Sequence, residues 1–197
     1  MDGGVRARLV AVGVELVERE GPSALSLREI ARRAGVSHGA PRRYFPTHQS
    51  LLAAIARTGY EQLGRRVAET VGVGRASPRA RLLALSRMYL EFAQGNRGMF
   101  ELMFRHDLLR GNQVGLREAS LPLFRTLVEL VSQARSSRTP RAAVVAGALW
   151  ANLHGIAQLW QWGSLQLTVG VDDVQPLLRA ALDAHLGPRS AFGSGAG

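Results

Sequence analysis

LSLREIARRAGVSHGAPRRYFPTHQSLL, residues 25–52, reads as one helix, a sharp turn and a second, shorter helix. Ser26 and Glu29 have the spacing of a capping box, so the first of these helices starts at about Leu27. Ile30 and Ala31 face inward, and Ala31 is small enough to let two helices cross closely. Gly35 permits the turn, and Val36 fills its corner. Ser37 is placed to cap the next helix, which stops before Pro46. Pro41 falls in its first turn, where a missing N–H is tolerated. This helix is too polar for a core, and Arg42, Arg43 and Tyr44 project from it. Arginine reads guanine O6 and N7 with two hydrogen bonds or grips a phosphate, and tyrosine donates to phosphate. Gly39 lets the backbone come close to a sugar-phosphate chain, and the free N–H groups of helix starts suit phosphate oxygens.

On either side the pattern stays helical. Val5, Leu9, Val12 and Leu16 give a first helix its apolar stripe, and Gly21-Pro22 stops it. Thr47 caps a longer helix from His48 towards Val71. Gly72 to Ser77 is a break, and Ser77-Pro78 opens the next helix with Leu82, Leu85, Met88, Tyr89 and Phe92 at helical spacing. A short helix spans Met99 to Phe104, and Asn112 caps another that bends or restarts at Pro122 and runs to about Arg135. Thr139-Pro140 opens a long helix to about Trp162, and Asp172 caps the last. The fold class is therefore all-α, with about nine helices. Residues 1–47 read as a helix-turn-helix domain, 48–73 as a connecting helix, 74–186 as a second helical domain and 187–197 as a flexible Gly/Ser-rich tail.

Composition narrows the function. The net charge is +10, and all 25 basic residues are Arg. Such a chain is drawn to polyanions, of which nucleic acid is the commonest. Residues 1–66 hold 11 Arg against 6 acids and residues 67–197 hold 14 against 9, so the basic charge is denser at the N-terminal end. Cysteine is absent, which excludes disulfides and thiolate metal sites. The N-terminal residues are broken by charges throughout, unlike a signal peptide, and no apolar run reads as a membrane span. The expected location is the cytoplasm.

The order and spacing of residues 25–52, with the helix before them, resemble the tetracycline-repressor (TetR) family of bacterial regulators. The resemblance implies base and phosphate contacts from Ser26 and Arg28, from Ser37, His38, Gly39 and Ala40, and from Arg42, Tyr44 and His48. Arg43 joins them as a projecting arginine of the same helix. Family members usually carry an aromatic where this chain has Arg42, so that contact is expected to be a charged grip or a guanine reading. Further on, Trp150-Ala-Asn-Leu-His154-Gly155 is similar to the Trp-x-x-x-His-Gly signature of the WHG type of C-terminal domain, and Met99 to Phe104 is similar to its short Met/Phe helix.

The resemblance implies a ligand-released repressor that binds a palindromic double-stranded DNA operator as a homodimer. Trp150 and His154 share a helix face. Phe92, Met99, Met103, Phe104 and Phe124 are candidates to line a cavity against that face for a small hydrophobic effector; packed as a plain core, the same residues would bind nothing. Val145, Leu149, Leu153, Ile156 and Trp160, with Val174, Leu177, Leu178, Ala181 and Leu182, form two apolar strips, and the resemblance implies that they make a four-helix dimer interface. No cofactor is expected. The five histidines show no metal-ligand spacing, and there is no H-E-x-x-H, phosphate loop or nucleophile elbow, which argues against an enzyme. Against a DNA-free interaction module, the discriminating property is DNA binding with steep salt dependence.

Overall fold

The computed structural model describes residues 2–72, 76–111, 113–135 and 140–187. The expected caps at Asn112 and Thr139, and the tail beyond 187, lie outside them. Eleven α-helices and no strand occur among the described residues, so the all-α expectation is met with more, shorter helices. They are α1 (Asp2–Glu20), α2 (Leu27–Arg33), α3 (Ala40–Tyr44), α4 (His48–Gly72), α5 (Pro78–Gly95) and α6 (Arg97–Met103). There follow α7 (His106–Gly111), α8 (Leu116–Ala134), α9 (Ala142–Gln161), α10 (Ser164–Val169) and α11 (Gln175–Leu186).

The chain packs as two units. The first takes residues up to Arg66 together with Phe92–Leu123; the second takes Val67–Glu91 and everything from Phe124 on. In the first unit α1 buries Leu9, Leu16 and Val17 against α2, α3 and α6. Ile30 and Ala31 of α2 are fully enclosed, as the spacing predicts. Two glycines set how closely helices approach. A Cβ on Gly98 would stand 2.1 Å from the Val17 carbonyl oxygen, so α6 rests directly on the backbone of α1. A Cβ on Gly59 would stand 2.6 Å from the Met103 sulfur and 2.7 Å from Met99 Cγ. Phe100 and Phe104 meet edge to face at 4.8 Å, and the buried Tyr60 hydroxyl donates to the Met103 carbonyl at 2.9 Å.

Helix starts follow local chemistry with three differences from the sequence reading. The Glu29 N–H donates to Ser26 Oγ at 3.2 Å, a contact worth about 1 kcal/mol. Thr47 and Ser50 cap α4 reciprocally, each side chain accepting the other's N–H at 3.0 and 3.2 Å. Ser37, however, does not cap α3: the helix begins at Ala40, whose N–H donates to the Ser37 carbonyl at 2.9 Å. Asp173 rather than Asp172 serves α11, accepting the Gln175 N–H at 2.9 Å. Nor does Pro122 restart α8, which runs through it.

In the second unit α9 packs on α11 and α10. Arg79 of α5 pairs with Asp183 and donates to the Gly187 carbonyl at 2.7 Å, tying α5 to the end of α11. α10 is a helix the sequence reading missed, bounded by Gly163 and Gly170, both left-handed. α9 also corrects an expectation. From Ala142 to Gln161 it carries no Asp, Glu, Lys or Arg, and by length and composition it could cross a membrane. One face of it is buried in this unit, at Val145, Ala146, Leu149, Leu153 and Ala157. A core helix with a second apolar face passes the same test.

Candidate nucleic-acid interface and effector contacts

Gly35, at φ +64°, makes the turn between α2 and α3 that a Cβ would strain. The Val36 N–H donates to the Ala31 carbonyl at 3.1 Å, which closes the corner. Beyond it Ser37, His38 and Gly39 are exposed, as are Arg42 and Arg43, while Ala40 and Tyr44 are half-buried. Pro41 and Phe45 are buried and anchor the short helix from beneath. The Arg6 guanidinium lies 5.2 Å from the centre of the Phe45 ring.

The arginines here divide into two groups. Glu29 accepts from Arg32 at 2.6 and 2.9 Å and from Arg33 at 2.6 Å, and Arg33 also reaches Glu20 at 2.7 Å. This network braces α2 against the end of α1. Hydrogen bonds from Arg32, then Arg33, hold the Glu29 pKa at about 2 against an ordinary 4.5. The folded-state value is depressed, so the stability that the brace contributes is fully present above pH 4.5 and is lost as pH falls through about 2, where Glu29 takes up its proton. Arg28, Arg42 and Arg43 are exposed and have no ion pair among the described residues. Their charge is available to a polyanion; that of Arg32 and Arg33 is spent internally. His48 has a structural bond as well: its Nε2 is 2.7 Å from the Leu25 carbonyl oxygen, linking the start of α4 to the segment before α2.

The seven candidate effector contacts fall into both units. Phe92, Met99 and Met103 are fully buried in the first, with the methionines against Gly59, and Phe104 packs on Tyr60 and Phe100. Phe124, Trp150 and His154 come together in the second. Trp150 lies 6.3 Å from the Phe124 ring and 6.1 Å from His154, centre to centre. Tyr89 completes the group, its hydroxyl 2.9 Å from His154 Nδ1 and accepting from Trp150 Nε1 at 3.4 Å. Burial pushes the His154 pKa below its ordinary value, which favours the neutral ring. Tyr89 was visible only as one residue of an apolar helix face; nothing in its spacing marks it as the partner of a histidine 65 positions on.

A separate open groove of about 770 Å³ lies in the first unit, with Val10, Val14, Ala54, Arg57 and Val114 among its lining. None of the seven candidate effector residues lines it. Val114 is held at φ +54°, strained for a β-branched residue, and its carbonyl accepts from Arg57 at 2.7 Å.

The candidate dimer strips are placed with equal clarity. Val145, Leu149, Leu153, Leu178, Ala181 and Leu182 are buried within their own unit, and Ile156, Trp160, Val174 and Leu177 are half-buried. The opposite face of α9 is open. Val144, Ala148, Ala151, Leu159 and Trp162 are exposed there, and Gly155 on the same face is half-buried.

Residues 9–55 match bacterial regulatory proteins of the tetR family, and residues 82–185 match a tetracyclin repressor-like C-terminal domain. The chain belongs to the TetR family. It is a DNA-binding transcriptional regulator with a helix-turn-helix domain. This TetR-family chain is 26% identical over 149 residues to nucleoid occlusion factor SlmA of Marinobacter nauticus, covering 73% of its own length and 75% of that protein. It is similar in fold to a protein of unknown function from Rhodococcus sp. RHA1, with TM-score 0.77, 31% identity and coverage of 92% and 93% of the two chains. A TetR-like transcriptional regulator from the same organism gives TM-score 0.65 at 16% identity, over 92% and 93% of the chains.

Proposed function

We propose that this TetR-family regulator is a ligand-released repressor that binds a palindromic operator as a homodimer, and that it is regulatory rather than enzymatic. The observation that carries the DNA reading is the set of exposed arginines without ion pairs, Arg28, Arg42 and Arg43, around the exposed start of α3. Ser26, Ser37, His38, Gly39, Ala40, Tyr44 and His48 stand beside them as base and phosphate contacts. A five-residue recognition helix buries little surface, so two copies on two half-sites are needed for affinity. The open α9 face, free of charged side chains, is the surface on which a second copy packs.

The effector is read as a small hydrophobic molecule. It would lie against Phe124, Trp150 and His154. Residues 1–47 then act as the reading head, 48–73 as its connection and 74–186 as the sensing and pairing part. The effector shifts the dimer away from the operator only through its preference for the non-binding conformation.

Arg42→Ala and Tyr44→Phe test the reading surface. Arg42 is exposed and unpaired, so its loss leaves fold and assembly intact. A base-reading arginine is worth about 1–3 kcal/mol, so operator affinity should fall roughly 5- to 150-fold on a selected duplex, with an unchanged helical spectrum. Both variants binding as tightly as the parent chain would remove α3 as the recognition helix.

A further inference from the structure

Arg6 lies on α1, outside the turn and the two helices it joins, yet its charge is held at the end of α3. Its guanidinium is 5.2 Å from the centre of the Phe45 ring. Phe45 closes α3, its N–H donating to the Pro41 carbonyl at 2.8 Å. The ring is fully buried, so the core fixes the face on which the guanidinium rests. An aromatic face attracts a cation without neutralising it. Arg6 is itself exposed and has no ion pair among the described residues. A full positive charge is thus kept in solvent and kept in place.

That place is next to the proposed reading surface. α1 packs on both α2 and α3. Phe45 follows Arg42 and Arg43 within one helix turn, so Arg6 continues their unpaired charge past the end of α3. What it can meet there follows from size. A helix with its side chains is about 10–12 Å across, and the major groove is about 12 Å wide. With α3 in the groove there is no room for α1 beside it. An arginine carried by α1 reaches the groove wall, which is phosphate, and not the base edges on its floor.

We propose that Arg6 is a further DNA contact of this regulator, a phosphate grip from α1 that the Phe45 ring holds in position. This rests on α3 as the recognition helix. The grip carries no sequence information; it fixes the register and tilt of α3 on the duplex.

The test is a salt series on a selected duplex with the full chain. Arg6→Met keeps an apolar stem on the ring and removes the charge. Each neutralised phosphate contributes about 0.9 to the slope of log affinity against log salt, so with two copies bound the slope should become shallower by about 1.8. At physiological ionic strength affinity should fall roughly 2- to 30-fold, for one exposed ion pair lost in each copy. The selected sequence and the helical spectrum should not change. Arg6→Lys keeps the charge and should keep the slope. Arg8 is also exposed and stands about 160° around α1 from Arg6, so Arg8→Met makes the same change in net charge and should leave the slope near the parent's. A purely structural bond between Arg6 and the ring would leave the slope of Arg6→Met untouched, and that result would overturn the grip. Equal slope losses in Arg6→Met and Arg8→Met would overturn it as well, as would a changed sequence preference, which would make Arg6 a base reader. Arg42→Ala in the same series separates the two readings. Weakened binding there, with a parental slope in Arg6→Met, removes Arg6 alone; parental binding by Arg42→Ala and Tyr44→Phe removes α3 as the reader, and the role of Arg6 with it.

Discussion

Gly98→Ala is expected to cost about 3 kcal/mol or more, the largest stability loss of any single methyl group in the first unit. The added carbon would sit 2.1 Å from the Val17 carbonyl oxygen and 3.1 Å from Gly21 Cα, both backbone atoms. Neither can rotate away, so α1 and α6 must separate. That also disturbs the Gly21 N–H to Val17 carbonyl bond that ends α1. Overpacking against movable side chains costs about 1–3 kcal/mol, and a backbone collision belongs at or above the top of that range. For a chain of this size the melting temperature should fall by roughly 6–12 °C. Gly59→Ala meets Met103 and Met99 instead, whose flexible ends can give way. Gly64→Ala has only an ordinary 3.6 Å contact with Leu123, and serves as the control: it should be neutral or stabilising by up to about 1 kcal/mol. Thermal unfolding of the three variants measures the order, and a Gly98→Ala melt equal to that of Gly64→Ala would contradict the α1–α6 packing.

Ala151→Arg is expected to leave each chain folded and to separate the two. Ala151 is exposed at the centre of the α9 stripe, so a longer side chain has room in the single chain. In the proposed dimer it would put two arginines together near the two-fold axis, without partners. An unpaired buried charge costs several kcal/mol, and here there are two. Sedimentation should show a monomer with native helix content. Operator affinity should fall by about 10²-fold or more, because each half-site must then be bound separately. A dimeric Ala151→Arg chain would move the interface elsewhere. Leu153→Arg and Leu178→Arg cannot make this distinction, since both leucines are buried within the unit and either substitution would unfold it.

The contrast between Ala151 and Leu153 shows what the sequence can carry. Local chemistry was legible: the Ser26 and Thr47 caps, the Gly35 turn and the Ile30–Ala31 seam all follow from side chains within a few residues of one another. The family resemblance was legible for the same reason, because the reading head is one continuous stretch. The two faces of α9 were not. Both are apolar, and periodicity alone does not say which one the chain keeps for its own core. The strip Val145, Leu149, Leu153 has the larger residues and packs internally; the outward stripe is smaller, with its bulk at the ends. The Met99 and Met103 packing was hidden for a different reason. It depends on Gly59, some 40 residues earlier in the chain, and a close approach between distant helices leaves no local signal. α10 was missed because six residues between two glycines carry too little periodicity to read as a helix.

Selection of bound duplexes from a random pool by the full chain, followed by titration of the enriched sequence across a salt series, tests the central claim most directly. An inverted repeat should emerge, with half-site centres about one helical turn or more apart, bound by two copies of the chain. Its affinity should fall steeply with salt as the arginines displace counterions. Enrichment of no sequence, or of a single half-site held by one copy, would contradict a dimeric, operator-reading regulator.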